Sequence, residues 1–182
     1  MKRRRQNGFT LIELAIVMGA SAMIALGLVG MLQAHVQVAN QAFKYKFLAQ
    51  DAPFVGLLLT KTIGNAEDYR IYSSGDSARS SSGTPLLTGT AIRLWMRQPN
   101  STFRQAVVSY ETVSGNSGLY FFLADSTGTF SSTPNWEFVG AQLANQTSDG
   151  KTITGFDAST GVLLVTLVGI NNEWYKFAAE KK

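Results

Sequence analysis

Hydrophobic positions along the chain change period twice. From Phe9 to Leu32 the run is apolar almost without interruption, and its 24 residues, at the helical rise, cover about 36 Å, enough to cross a bilayer's hydrocarbon layer with some tilt. Beyond Leu32 the chain turns polar without a breaker. Gln33, His35, Gln37, Asn40 and Lys44 alternate with Val36, Val38, Ala39, Phe43, Phe47 and Leu48 at helical spacing, and Val55, Leu58, Leu59 and Ile63 prolong the apolar stripe to about Asn65. Pro53 predicts a kink or a local break there, because it lacks an amide proton and its ring crowds the preceding turn.

From Arg70 the period falls to two, and Gly, Ser and Thr become frequent, the mark of short strands joined by turns. Strands are predicted at 91–97, 105–113, 118–124, 136–140, 161–168 and 173–178, in an antiparallel sheet. Tyr120-Phe121-Phe122-Leu123 and Val162-Leu163-Leu164-Val165 are apolar on both faces. They therefore belong to central strands, covered by the helix on one side and by loops or a second sheet on the other. Asn171-Asn172 suits a tight hairpin turn between the last two strands. The segment SSGDSARSSSGTP, 73–85, offers no core to order it and is expected to be a mobile loop. The fold class is α+β: a long N-terminal helix, its first half (9–32) transmembrane and its second half (33–65) soluble, packed on an antiparallel sheet domain (66–182).

Length and charge sharpen this. With 182 residues and 45% hydrophobic content, the chain suffices for one membrane segment and one compact domain. The formal charge of +4 comes from 16 bases against 12 acids; without Lys2, Arg3, Arg4 and Arg5 the balance is 12 against 12. Basicity is thus an N-terminal tag ahead of an apolar run, which places that end in the cytoplasm by the positive-inside rule.

Candidate chemistry is sparse. Cysteine is absent and His35, just past the membrane run, is the only histidine, so neither a Ser-His-Asp nor a Cys-His device nor a His-rich metal site can be assembled. No GxSxG, HExxH, Walker or GxGxxG motif occurs. Asn145, Asp149 and Asp157 match no EF-hand spacing and read as turn residues. The expectation is a protein that is not an enzyme and has neither cofactor nor metal.

Glu13 is the one ionisable group in the apolar run. Three readings compete. A cleaved secretory signal could end at Ala20, Ser21 and Ala22, but would leave a second apolar stretch from Met23 at the mature start. A plain anchor explains Glu13 locally, since Thr10-Leu11-Ile12-Glu13 fits a capping box with Thr10 as N-cap, and Phe9 could staple against Leu14. The third reading rests on Gly8, a permissive residue placed where a protease needs an extended chain. Basic leader, Gly8, Phe9 and then Thr10-Leu11-Ile12-Glu13-Leu14 resembles the processing signal of type IV pilins and type II secretion pseudopilins.

The resemblance implies a leader, residues 1–8, removed by a membrane-embedded prepilin peptidase that cuts between Gly8 and Phe9 and methylates the new amino group of Phe9. Glu13 becomes the fifth mature residue. A carboxylate within the membrane is costly, about 2.5 to 3.5 kcal/mol for an aspartate at a helix centre and less near an end, so a partner is expected. In the family that partner is the ammonium of a neighbouring subunit's first residue, and the pair sets the register of assembly. The implied protein is a single-pass inner-membrane subunit with its C-terminal domain outside the cytoplasm. Its implied partners are the peptidase, other pilin or pseudopilin subunits and the inner-membrane assembly platform. The missing cysteine pair favours a minor pilin or pseudopilin.

One further pattern offers an alternative. Arg93, Trp95 and Arg97 alternate with Ile92, Leu94 and Met96 and so project from one strand face, to which Arg104 could add. Such a face can grip phosphates and stack bases, as a DNA-uptake subunit would need; three cations make a small patch, however, and a solvated or subunit-packing face is the simpler reading.

Overall fold

The computed structural model describes residues 10–44, 46–80, 83–140 and 142–180. The chain divides into two compact units, Met1–Lys44 and Tyr45–Lys182.

In the first unit the helix α1 runs unbroken from Leu11 to Lys44, about 51 Å at the helical rise. Its stretch Leu11–Ala42 is long and apolar enough to span a membrane. The hydroxyl of Ser21 donates to the carbonyl of Val17 at 2.7 Å, so this polar group is satisfied inside the helix, as a lipid environment requires.

The second unit opens with a π-helical turn, Phe47–Asp51, followed by α2, Ala52–Gly64. Proline explains the sequence of these two elements. Pro53 falls in the first turn of α2, where an amide proton is dispensable, and the Ala52 N–H bonds back to the Phe47 carbonyl, five residues earlier. The expected break at Pro53 is thus a widened turn just ahead of it. The stripe Val55, Leu59 and Ile63 is buried, as the helical period demands.

Among the described residues ten strands follow, with one short helix. In chain order they are β1 Ala66–Tyr72, α3 Gly75–Ser80, β2 Thr88–Gly89, β3 Ala91–Arg97, β4 Phe103–Val113, β5 Asn116–Leu123, β6 Trp136–Val139, β7 Leu143–Ala144, β8 Gly155–Asp157, β9 Leu163–Gly169 and β10 Trp174–Ala179. They form two sheets, β1-β3-β4-β5-β6 and β10-β9-β8-β2, with β7 also pairing β9, and every pairing is antiparallel. The two sheets meet at Gly89: a Cβ there would lie 2.0 Å from the carbonyl oxygen of Tyr72, so only glycine lets the backbones of β1 and β2 approach.

The main core joins α2 to the inner faces of both sheets, through Val55, Leu59 and Ile63, then Ile92, Leu94, Val108 and Phe121, then Phe156, Val165 and Leu167. A second, smaller core lies on the other face of the first sheet, where Tyr72, Val107, Tyr120 and Phe122 pack beneath Ala78 of α3. The doubly apolar run in β5 is thereby explained: Phe121 enters one core, Tyr120 and Phe122 the other.

The predicted strands are all present, with ends displaced by one or two residues. Left-handed residues close several of the turns. Val113 and Asn116 pair across Ser114 (φ 51°) and Gly115 (φ 85°), a type I′ hairpin. Between β9 and β10, Asn172 sits at φ 73° and its N–H reaches the Gly169 carbonyl at 3.1 Å. The segment 73–85 corrects the expectation of a mobile loop: residues 75–80 form α3, docked on β3 and β4 with Ala78 fully buried. The edge strand β1 and the short β2, β7 and β8 had no counterpart among the predicted strands.

Candidate functional site

At the start of α1, Thr10 and Glu13 form a reciprocal capping box. The backbone N–H and the hydroxyl of Thr10 each donate to Glu13 Oε2 at 2.9 Å, and the Glu13 N–H points back to Thr10 Oγ1 at 3.4 Å. The Leu14 N–H closes the first helical turn on the Thr10 carbonyl at 3.1 Å. Both cap bonds land on one carboxylate oxygen; among the described residues Glu13 Oε1 accepts from none. An ionised carboxylate has about four lone-pair sites, so the cap leaves Glu13 able to take a second, charged donor. The cap and the inter-subunit pairing expected for Glu13 are therefore geometrically compatible. Gly8 and Phe9, the expected cleavage and methylation positions, lie outside the described residues, as does the Phe9 side of the expected staple.

The strip Arg93, Trp95, Arg97 needs a correction. The three share one face of β3, as alternation requires, but β3 lies between β1 and β4 and the face is largely covered. Arg93 is buried at 6% exposure. Its Nε donates to Gln105 Oε1 at 3.0 Å, Nη2 donates to the same oxygen, and Nη1 donates to the Ala78 carbonyl at 3.0 Å. Phe130 covers its guanidinium at 5.3 Å, and burial pulls the pKa of Arg93 below the ordinary arginine value, with Arg70 adding to the effect. Trp95 lies against both Arg70 and Arg93, with guanidinium carbons 5.2 and 5.5 Å from its ring. Arg97 is exposed and pairs with Glu67 at 3.2 Å, and Arg104 donates from Nε to the Ala124 carbonyl at 3.1 Å. The arginine that was to grip a phosphate with Arg97 is instead a packing element of the second core.

What alternation along one strand could not show is the partner layer. Ser74 caps α3 by accepting the Ser77 N–H at 3.3 Å, which positions Arg79 over β4 and β5. Arg79 makes a two-pronged contact with Glu111, Nη1 to Oε1 at 2.6 Å and Nη2 to Oε2 at 3.0 Å, and stacks on Phe122 at 4.2 Å. Burial alone would lower its pKa; Glu111 and then Asp76 more than reverse this and raise it. The spacing Ser74-x-x-Ser77, with Asp76 three residues before Arg79, was the legible signal of that helix.

Of the residues expected to turn the chain, the two aspartates do so. Asp149 Oδ1 accepts the Thr147 hydroxyl at 2.6 Å and the Lys151 N–H at 3.2 Å, and Asp157 Oδ1 accepts the Ser159 N–H at 2.8 Å, whereas Asn145 lies beside the Gln146–Ile153 bridge, its backbone carbonyl accepting the Thr154 N–H at 2.7 Å. Each carboxyl is consequently held below the usual aspartate value.

Residues 3–29 match the family described as the prokaryotic N-terminal methylation motif. Comparison with curated proteins and with solved structures finds no match of significance. The motif covers the basic stretch, Gly8, Phe9 and the capped start of α1, and it points to a structural subunit rather than an enzyme, to processing by prepilin peptidase and to assembly with other pilins. The apolar helix supports anchoring in a membrane, as in pilins. With this motif, the long apolar helix behind it and the domain of antiparallel sheets that follows, the chain fits a type IV pilin or pseudopilin.

Proposed function

We propose that the chain is a minor subunit of a type II secretion pseudopilus or a type IV pilus. Prepilin peptidase cuts it between Gly8 and Phe9 and methylates Phe9. Residues 9–32 hold it in the inner membrane with the leader in the cytoplasm and the sheet domain outside. Glu13 then pairs with the ammonium of Phe9 on a neighbouring subunit as the helices are taken up into the filament.

The observation that carries this reading is the capped carboxylate at the head of α1. One oxygen of Glu13 is held by Thr10 and the other accepts no bond among the described residues, within the motif that matches residues 3–29. An isolated helix would gain its cap from a threonine and a glutamate on any anchor; the free oxygen is what a second subunit can use. The test has two parts. Mass spectrometry of the membrane-extracted protein is expected to find methylated Phe9 as the first residue; Met1 or Met23 would refute the processing. Glu13→Ala and Glu13→Leu are expected to insert normally and to lose incorporation into sheared filaments, whereas normal incorporation would reduce Glu13 to a cap.

A further inference from the structure

The outer face of the second sheet carries a cleft far in sequence from the Glu13 site. Leu163, Val165 and Leu167 of β9 enter the main core, so Thr166 points the other way, with Trp174 and Lys176 of β10 and Gly155 and Asp157 of β8 on the same side. Together with Thr88 of β2 and the Lys151–Ile153 stretch these residues enclose about 230 Å³. The register sets the floor: Lys176, Thr166 and Gly155 are consecutive partners across three strands. Gly155 must lack a side chain, because a Cβ would lie 2.4 Å from the Gly89 carbonyl oxygen; glycine lets the backbone that leads out of β2 close up against β8 at the edge of the cleft.

The walls are held in place before any ligand arrives. The loop carrying Lys151, Thr152 and Ile153 is closed by Thr147 N–H to Thr152 carbonyl and Thr154 N–H to Asn145 carbonyl, at 2.8 and 2.7 Å. Asn172, at the tip of the β9–β10 turn, clasps this loop by accepting the Ser148 N–H and donating to Ser148 Oγ. Trp174 is 53% exposed and joins no aromatic cluster among the described residues. The hydroxyls of Thr88 and Thr166 have no hydrogen-bond partner among the described residues, although Thr166 is buried.

The chemistry of this lining selects its ligand. A volume below the roughly 300–1,000 Å³ of pockets that engulf a drug-sized molecule admits one ring or a chain end. Charge is balanced: Lys151 pairs with Asp149 at 3.6 Å, and Lys176 faces Asp157. No surplus charge therefore calls for a phosphate or a carboxylate. An indole wall over a floor of hydroxyls suits a ring that is apolar on its C–H face and hydroxylated at its rim. We propose that the Trp174–Thr166–Thr88 cleft binds a neutral saccharide ring, a free sugar or the end of a glycan chain.

The test uses the full chain in phosphocholine-detergent micelles, since glycosidic detergents would compete. Glucose, galactose, mannose, N-acetylglucosamine and their short oligomers are titrated while the three indole N–H resonances are followed by NMR. At least one sugar is expected to shift the Trp174 resonance saturably, with Trp95 and Trp136 unmoved. Trp174→Ala should weaken binding about tenfold or more, read by saturation-transfer from the sugar, while Trp136→Ala should leave it unchanged. Thr166→Val keeps the shape of the floor and removes its hydroxyl, and should weaken binding several-fold; it decides the matter if the tryptophan variant does not fold. The proposal fails if no sugar in the panel saturates, if the shifts fall on Trp95 or Trp136, or if Thr166→Val and the folded Trp174→Ala bind like the unaltered chain.

Discussion

Replacing Arg79 by methionine should loosen α3 and expose the second core, and the size of the effect follows from the contact geometry. Arg79 and Glu111 meet through two short hydrogen bonds, with side chains only 15% and 18% exposed. Two unit charges about 4 Å apart attract by about 4 kcal/mol at an effective dielectric constant of about 20, and desolvation of both groups offsets much of that gain. Arg79→Met keeps volume and an aromatic contact on Phe122, but leaves Glu111 half-buried with only the Ser109 hydroxyl, donating at 2.8 Å, to satisfy it among the described residues. The loss should be about 2–3 kcal/mol, and Glu111→Gln should lose about 1–2 kcal/mol. In a double-mutant cycle the two losses should fall short of additivity by about 1–2 kcal/mol. Urea unfolding of the four proteins in micelles, followed by tryptophan fluorescence, gives the coupling directly. Hydrogen exchange at residues 75–80 reports whether α3 has come loose. Because the pair is half-buried, the coupling should largely survive about 1 M salt, where the Debye length is about 3 Å, whereas the exposed Arg97–Glu67 pair should contribute about 0–1 kcal/mol and vanish. A coupling below about 0.5 kcal/mol, or unchanged protection of α3 in Arg79→Met, would refute the claim that this ion pair anchors the segment.

Two other outcomes follow from the same packing. Gly89→Ala drives a Cβ into the Tyr72 carbonyl and should destabilise the sheet domain by about 3 kcal/mol, seen as a lowered thermal midpoint; an unchanged midpoint would mean the two sheets do not meet there. The carboxyls of Asp125, Asp149 and Asp157 are all held below the ordinary aspartate value of 3.8, by the hydroxyls of Thr127, Thr147 and Ser159 first and by backbone N–H groups next. A carboxyl whose folded pKa is depressed stabilises fully above the unfolded value and loses that contribution as pH falls through the folded value. Amide protection at Thr127, Thr129, Lys151 and Ser159 should therefore decline below about pH 3.8, and Asp149→Asn should remove the effect at Lys151 alone.

Particular elements show which parts of this architecture can be read from sequence. The strand at 91–97 and the helix through Val55, Leu59 and Ile63 were legible because one buried face imposes a period on the residues themselves. The edge strand β1 was not, since Glu67, Asp68 and Arg70 give it a charged surface and its pairing with β3 supplies the order. The two- and three-residue strands β2, β7 and β8 carry no period at all and exist only by hydrogen bonding to longer neighbours. Segment 73–85 misled because its one buried apolar residue, Ala78, is small; what fixes it is a salt bridge to a residue 32 positions away.

The sequence alone determined the long apolar helix, the capping box at its head and the N-terminal methylation motif over residues 3–29. These depend on residues within four positions of one another, or on a continuous apolar run, and such short-range signals survive without a fold. Only the tertiary structure decided that there are two sheets, that Arg93 is buried among Gln105, Ala78 and Phe130, and that Trp174, Thr166 and Thr88 line one cleft. Period-two alternation assigns a side chain to one of two faces, but what lies over that face comes from chain folded back from elsewhere, and no local pattern encodes it.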